Sequence, residues 1–232
     1  APYAAAAGLN DYNYYTRVSP GKEKLIIPAY RGVPARTRTL MKRAITQSYQ
    51  ALGKRPIANT YSFYWHTKKS NLSKVAKKWC AVAGRKGSHL KRCLTEGGGW
   101  DKGFKTTNIG SAVFETDSRQ GVMEATQDTW GETNVNFHAK TAAHEYFHVY
   151  QTMMPYYFEK EYRIGYPQKK PRKDMFIEHE GPVWMIEGGA DYFAYNVMGK
   201  YKWRGYKAWM EEILNAAKDE IARGKRKGIK VI

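Results

Sequence analysis

The chain has 232 residues, 42% of them hydrophobic, which is enough for a sizeable core and excludes disorder along its whole length. No apolar run approaches the ~20 residues that span a bilayer, so no transmembrane segment is expected. Lys and Arg outnumber Asp and Glu by 39 to 21, a net charge of +18 that attracts polyanions and anionic surfaces, yet no recognisable nucleic-acid module accompanies it.

The first residues, "APYAAAAGLN", lack a Met and read as a processed or trimmed start. Residues 1–34, rich in Ala, Tyr, Gly and Pro, read as an extended N-terminal segment, and 35–232 as a single domain. In "ARTRTLMKRAITQSYQAL" (35–52) apolar residues recur at Leu40, Met41, Ala44, Ile45, Tyr49 and Leu52, which predicts a helix stopped at Gly53. "PIANTYSFYWH" (56–66) is β-branched and aromatic, and reads as a strand. "NLSKVAKKWCAVAG" (71–84) predicts a second helix, opened by Asn71 or Ser73 and closed at Gly84.

Residues 85–104 read as a Gly- and Lys-rich loop, and "SAVFETD" (111–117) as a strand. "TNVNFHA" (133–139) reads as a strand or strand end leading into a helix that carries "TAAHEYFHVYQ" (141–151). Residues 155–182 read as a Tyr-, Lys- and Pro-rich insertion. "VWMIEGGADYFAYNVMG" (183–199) predicts a buried helix, and "YKAWMEEILNAAKDEIARG" (206–224) a final amphipathic one. There is no internal repeat, and helices and strands mix without regular βαβ alternation, so the expected class is α+β. Cys80 and Cys93 lie thirteen apart, which is not a zinc-knuckle spacing. They would close a disulfide in a secreted protein and stay thiols in a reducing compartment; the processed start and the Tyr- and Trp-rich composition favour the disulfide and an extracellular location.

On a helix, positions i and i+4 stand on one face, so His144 and His148 present two imidazoles at a separation that one zinc ion bridges. Glu145 reaches the ion's open side without being a ligand. A catalytic zinc needs a third protein ligand, and "EGGAD" offers Glu187 for it, with Asp191 four residues on to accept a hydrogen bond from a ligand histidine. Two acids inside so apolar a stretch would be costly to bury without such partners. Gly188 and Gly189 leave room for close helix packing. His66, His89 and His138 read instead as satisfied core polar groups, and Tyr192, Tyr195 and the aromatic stripe "YFHVYQ" as core packing.

"HEYFH" followed by "EGGAD" resembles the gluzincin group of zinc metallopeptidases, and "PVWMIEGGADYFA" is similar to the W-x-x-E-G-x-A-x-Y-F phrase of its aminopeptidase branch. The resemblance is tight only over 141–151 and 182–195 and loose over about 35–200. It implies a thermolysin-like catalytic domain in which a small mixed sheet packs on the active-site helix. It also implies one zinc ion on His144, His148 and Glu187, with Glu145 as general base and Asp191 behind a ligand. A strand beside the cleft would hold the substrate backbone by β-pairing.

Two departures stand out. The 39 residues from His148 to Glu187 exceed the usual spacing in the group, which is why 155–182 reads as an insertion. "GVMEA" (121–125) resembles the exopeptidase phrase G-x-M-E-N, whose glutamate holds a substrate's free amino group, but Ala125 replaces the asparagine, so Glu124 carries little of that role and an endopeptidase is favoured over an aminopeptidase. His179 and Tyr157 are the candidates for the oxyanion donor. The expected protein is thus a secreted, monomeric zinc metallopeptidase acting on protein or peptide substrates, including anionic or glycosylated surfaces. The contrasting expectation is a basic polyanion-binding module whose zinc site is not catalytic.

Overall fold

Strand β2 (Thr60–Trp65) is buried along almost its whole length and organises the rest of the structure, a computed structural model that describes residues 24–53, 59–96, 104–105, 109–115, 120–130, 135–162 and 183–226. It lies between the short β1 (Leu25–Ile26) and β4 (Gln120–Thr126), parallel to both. β3 (Ile109–Glu115) pairs antiparallel with β4 and forms the edge of a four-stranded mixed sheet ordered β1-β2-β4-β3.

Alternation along the strands sends side chains to two separate cores. Tyr64, Met123 and Ala125 face one way, and Phe63, Trp65 and Val122 the other. The first face is covered by α1 (Ala35–Ala51) and α4 (Val135–Tyr162), and the second by α2 (Leu72–Val82). The sheet is therefore buried on both faces, which accounts for an apolar, aromatic β2 in place of simple alternation.

On α4, Ala139, Ala142, Ala143, Tyr146, Val149 and Met153 are all buried, at the spacing of a helix packed on more than one side. The three alanines let neighbouring backbones approach closely. α5 (Val183–Lys200) packs against α4, and its Ala190, Ala194, Val197 and Met198 are buried. α6 (Tyr206–Arg226) completes the described chain. No described helix is long and apolar enough to cross a membrane.

Several expectations hold closely. The helices anticipated over 35–52, 71–84, 183–199 and 206–224 are present, and Asn71 is the cap, its side chain accepting from the Lys74 amide at 3.1 Å. Cys80 and Cys93 form a disulfide with Cα atoms 6.1 Å apart.

Others need correction. Within 85–104, expected to be loop, Gly87–Glu96 is a helix, α3, which that disulfide ties to α2. The residues from Val135 to Ala139 are helical, not extended; adjacent His138 and Ala139 are both buried, a pattern that fits a helix wedged between layers. Of the proposed insertion, 155–162 continues α4, and 163–182 lies outside the described residues. β1 falls within the extended N-terminal segment, whose residues 1–23 lie outside the described residues.

Candidate metal centre

α4 and α5 cross so that the two motifs meet. The helical spacing of α4 stacks His144 over His148, and their Nε2 atoms lie 2.9 Å apart. From α5, Glu187 Oε2 lies 3.2 Å from His144 Nε2 and 3.5 Å from His148 Nε2. Four donors placed tetrahedrally around an ion at ~2.0–2.1 Å are separated by roughly 3.3 Å, and the three observed separations straddle that value. Among the described residues these three form the one group of three or more His, Cys, Asp or Glu side chains able to hold a metal ion.

The hydrogen bonds behind the histidines decide what their inner nitrogens carry. His144 Nδ1 lies 2.8 Å from Asp191 Oδ1, and His148 Nδ1 lies 2.8 Å from Gln151 Oε1. The Gln151 amide nitrogen donates to the Ile186 carbonyl at 3.1 Å, which fixes its oxygen as the atom facing His148. Both acceptors call for an Nδ1–H, so in the neutral rings each Nε2 presents a lone pair. Two lone pairs and a carboxylate oxygen then converge on one point. They cannot hydrogen-bond one another, and a divalent cation satisfies all three at once. The donor set, two imidazoles and a carboxylate, suits a divalent first-row metal ion.

Electrostatics match this geometry. Burial lowers the pKa of His148, and the neighbouring His144 lowers it further, so the ring stays neutral and able to ligate. Burial pulls the Asp191 carboxyl upward, but hydrogen bonds from His144 and Lys140 outweigh it and bring it down to about 2. Lys140 pairs with the same Asp191 oxygen that His144 uses and lies over the Tyr195 ring, 5.3 Å from its centroid. The histidine side chains are only 13% and 10% exposed, whereas Glu187 is 56% exposed, so the convergence point opens to solvent on the α5 side.

Glu145 is buried, and desolvation raises its pKa to about 7, with His144 and Lys140 opposing and Glu187 and Asp191 reinforcing the rise. Its carboxyl rests against the edge strand: a Cβ added to Gly110 would stand 2.6 Å from Glu145 Oε1. Glycine leaves the carboxyl that space, and a side chain at 110 would push it aside, so β3 and the general-base candidate are fitted to each other.

The structure thus brings together His144, His148, Glu187 and Asp191, with Glu145 within electrostatic reach of them. His179 lies outside the described residues; Tyr157 lies on α4, its side chain outside what is described. Glu124 is not at the site. It shares its strand face with Val122, towards α2, and the sheet separates it from α4, which removes the exopeptidase role for it. Of the histidines read as core, His66 and His138 are buried but His89 is exposed. Tyr195 is buried as expected, whereas Tyr192 is 73% exposed. Gly189 does allow close approach, a Cβ there lying 3.4 Å from Gln151 Nε2, but Gly188 faces open space.

Gln151 and Lys140 were missed. Gln151 stands three residues after His148, a spacing that puts it within reach of a ligand on its own helix; Lys140 stands four before His144, on the same face. Comparison of the chain with protein families, curated proteins and solved structures returned no match.

Proposed function

We propose that this chain is a secreted zinc-dependent metallopeptidase of the gluzincin type with a thermolysin-like catalytic domain, acting as an endopeptidase. The observation that carries the reading is the convergence of two Nε2 lone pairs and Glu187 Oε2, each imidazole held from behind by its own acceptor. Zinc on those ligands supplies a Lewis acid that activates water for attack near neutral pH. The other roles fall to the protein. Glu145, buried and holding its proton up to about pH 7, suits the exchange of a proton with the attacking water and then with the departing amine. Asp191 and Gln151 keep the imidazoles in one tautomer and one orientation.

Among the described residues β3 pairs only with β4, so its outer edge offers main-chain groups to an extended peptide, and Gly110 on that strand touches the Glu145 carboxyl. A peptide paired there would lie beside the base. The disulfide is compatible with an extracellular setting.

Glu145→Gln tests the reading. The variant should keep one zinc and the native fold and lose peptide hydrolysis over a mixed peptide library by about 10³-fold or more. Undiminished hydrolysis would reject Glu145 as the base. Full metal content with no hydrolysis by the wild-type chain over the same library would instead indicate a binding module with a non-catalytic centre.

A further inference from the structure

We propose that the groove between α2 and the segment 28–30, on the sheet face opposite the metal centre, binds a linear acidic polysaccharide. The groove has a volume of about 760 Å³ and is lined on one wall by Pro28 and Tyr30 and on the other by Ser73, Lys74, Lys77 and Lys78. The three lysines fall at i, i+3 and i+4, so they stand in a row on one helical face. All three are exposed, and among the described residues no carboxylate lies within ion-pair distance of them.

The row is part of a one-signed surface. From Lys69 to Thr95, across α2 and all of α3 except its last residue, Glu96, the sequence holds eight basic residues and no acidic one, although the whole chain has 39 basic and 21 acidic. At the chain's average density of acids, a stretch of this length would hold two or three. The arrangement also works against the helix that carries it. Lys74 and Lys78 are like charges four apart, and Lys74 sits in the first turn, where the helix dipole disfavours a cation. A ligand with regularly spaced anions removes both penalties.

Two observations favour a polysaccharide over a nucleic acid. None of the exposed large apolar side chains, Leu94, Phe137, Tyr192, Met210 and Leu214, lines the groove, and Tyr30 is only 7% exposed, so bases find no stacking platform. The disulfide that joins α2 to α3 is compatible with an extracellular setting, where a polyanion is encountered as acidic polysaccharide more readily than as nucleic acid.

The test uses the full chain and a fluorescent heparin oligosaccharide, with neutral dextran and single- and double-stranded DNA of matched charge as comparison probes. Lys74→Gln/Lys77→Gln/Lys78→Gln should weaken heparin binding by about tenfold or more and flatten its salt dependence. Arg204→Gln/Lys207→Gln/Lys218→Gln, with the same charge change on the exposed surface after α5, should weaken it less than about threefold. Equal losses in the two variants would mean diffuse attraction by net charge and overturn the groove; so would no measurable heparin binding. DNA bound as tightly as heparin would overturn the polysaccharide assignment.

Discussion

Gln151 Oε1 lies 2.8 Å from His148 Nδ1, and the same side chain donates to the Ile186 carbonyl one residue before Glu187. One amide therefore ties a candidate ligand on α4 to the backbone that presents another on α5. Gln151→Leu removes the acceptor behind His148 and the strut to α5 together. It should weaken zinc binding by about 10–100-fold, measured by chelator competition, while the helices persist. Gln151→Glu keeps an acceptor for His148 and loses only the donor to Ile186, so its affinity should lie between the two.

Gly110→Ala probes the fit of the edge strand to the base. The added methyl would meet the Glu145 carboxyl at 2.6 Å, and that carboxyl is the far end of a flexible side chain that can swing aside. Stability and metal content should change little, by under about 1 kcal/mol for the fold, while kcat/KM falls by about tenfold or more through a displaced base. Loss of metal from this variant would show that Gly110 supports the ligands instead.

The motif residues were legible because their chemistry follows helical spacing: 144, 148 and 145 on one helix, 187 and 191 on another. Their convergence was not. It depends on how α4 crosses α5, and α4 is held through residues such as Ala139 and Ala142 in one core with the sheet, α1 and Met198 of α5, long-range packing that a local pattern does not encode. Helix α3 was hidden for a related reason. "GSHLKRCLTE" is polar and short, and the disulfide from Cys93 to Cys80 secures it where local propensity is weak. Glu124 is already disfavoured in the sequence, where Ala125 breaks the phrase; a resemblance in letters carries no information about strand face, and register independently places that carboxyl across the sheet from α4.

The disulfide should contribute about 3 kcal/mol through closure of its short loop, in the chain-entropy account. Cys80→Ala/Cys93→Ala should lower the urea midpoint accordingly and leave zinc affinity within about twofold, because the loop lies on the opposite face of the sheet from α4. An unchanged midpoint would indicate that the two cysteines are not joined in the native protein.

His138 supplies a pH dependence separate from the metal centre. Burial lowers its pKa, and its ring lies 4.8 Å from that of Trp130. With a folded-state pKa below the unfolded value, the unfolded chain binds a proton first as pH falls. Stability from this group is therefore complete above the unfolded pKa of ~6.5, declines below it, and stops declining once the folded pKa is passed. His138→Phe should flatten the fall in unfolding free energy across that acid window, and a slope equal to wild type would assign the acid sensitivity elsewhere.

The most direct test is calorimetric titration of chelator-stripped protein with zinc. Wild type should bind one ion per chain, and His144→Ala, His148→Ala and Glu187→Gln should each lose about 100-fold or more in affinity. Absence of binding by wild type, or binding undiminished when both histidines are replaced, would contradict the metal centre.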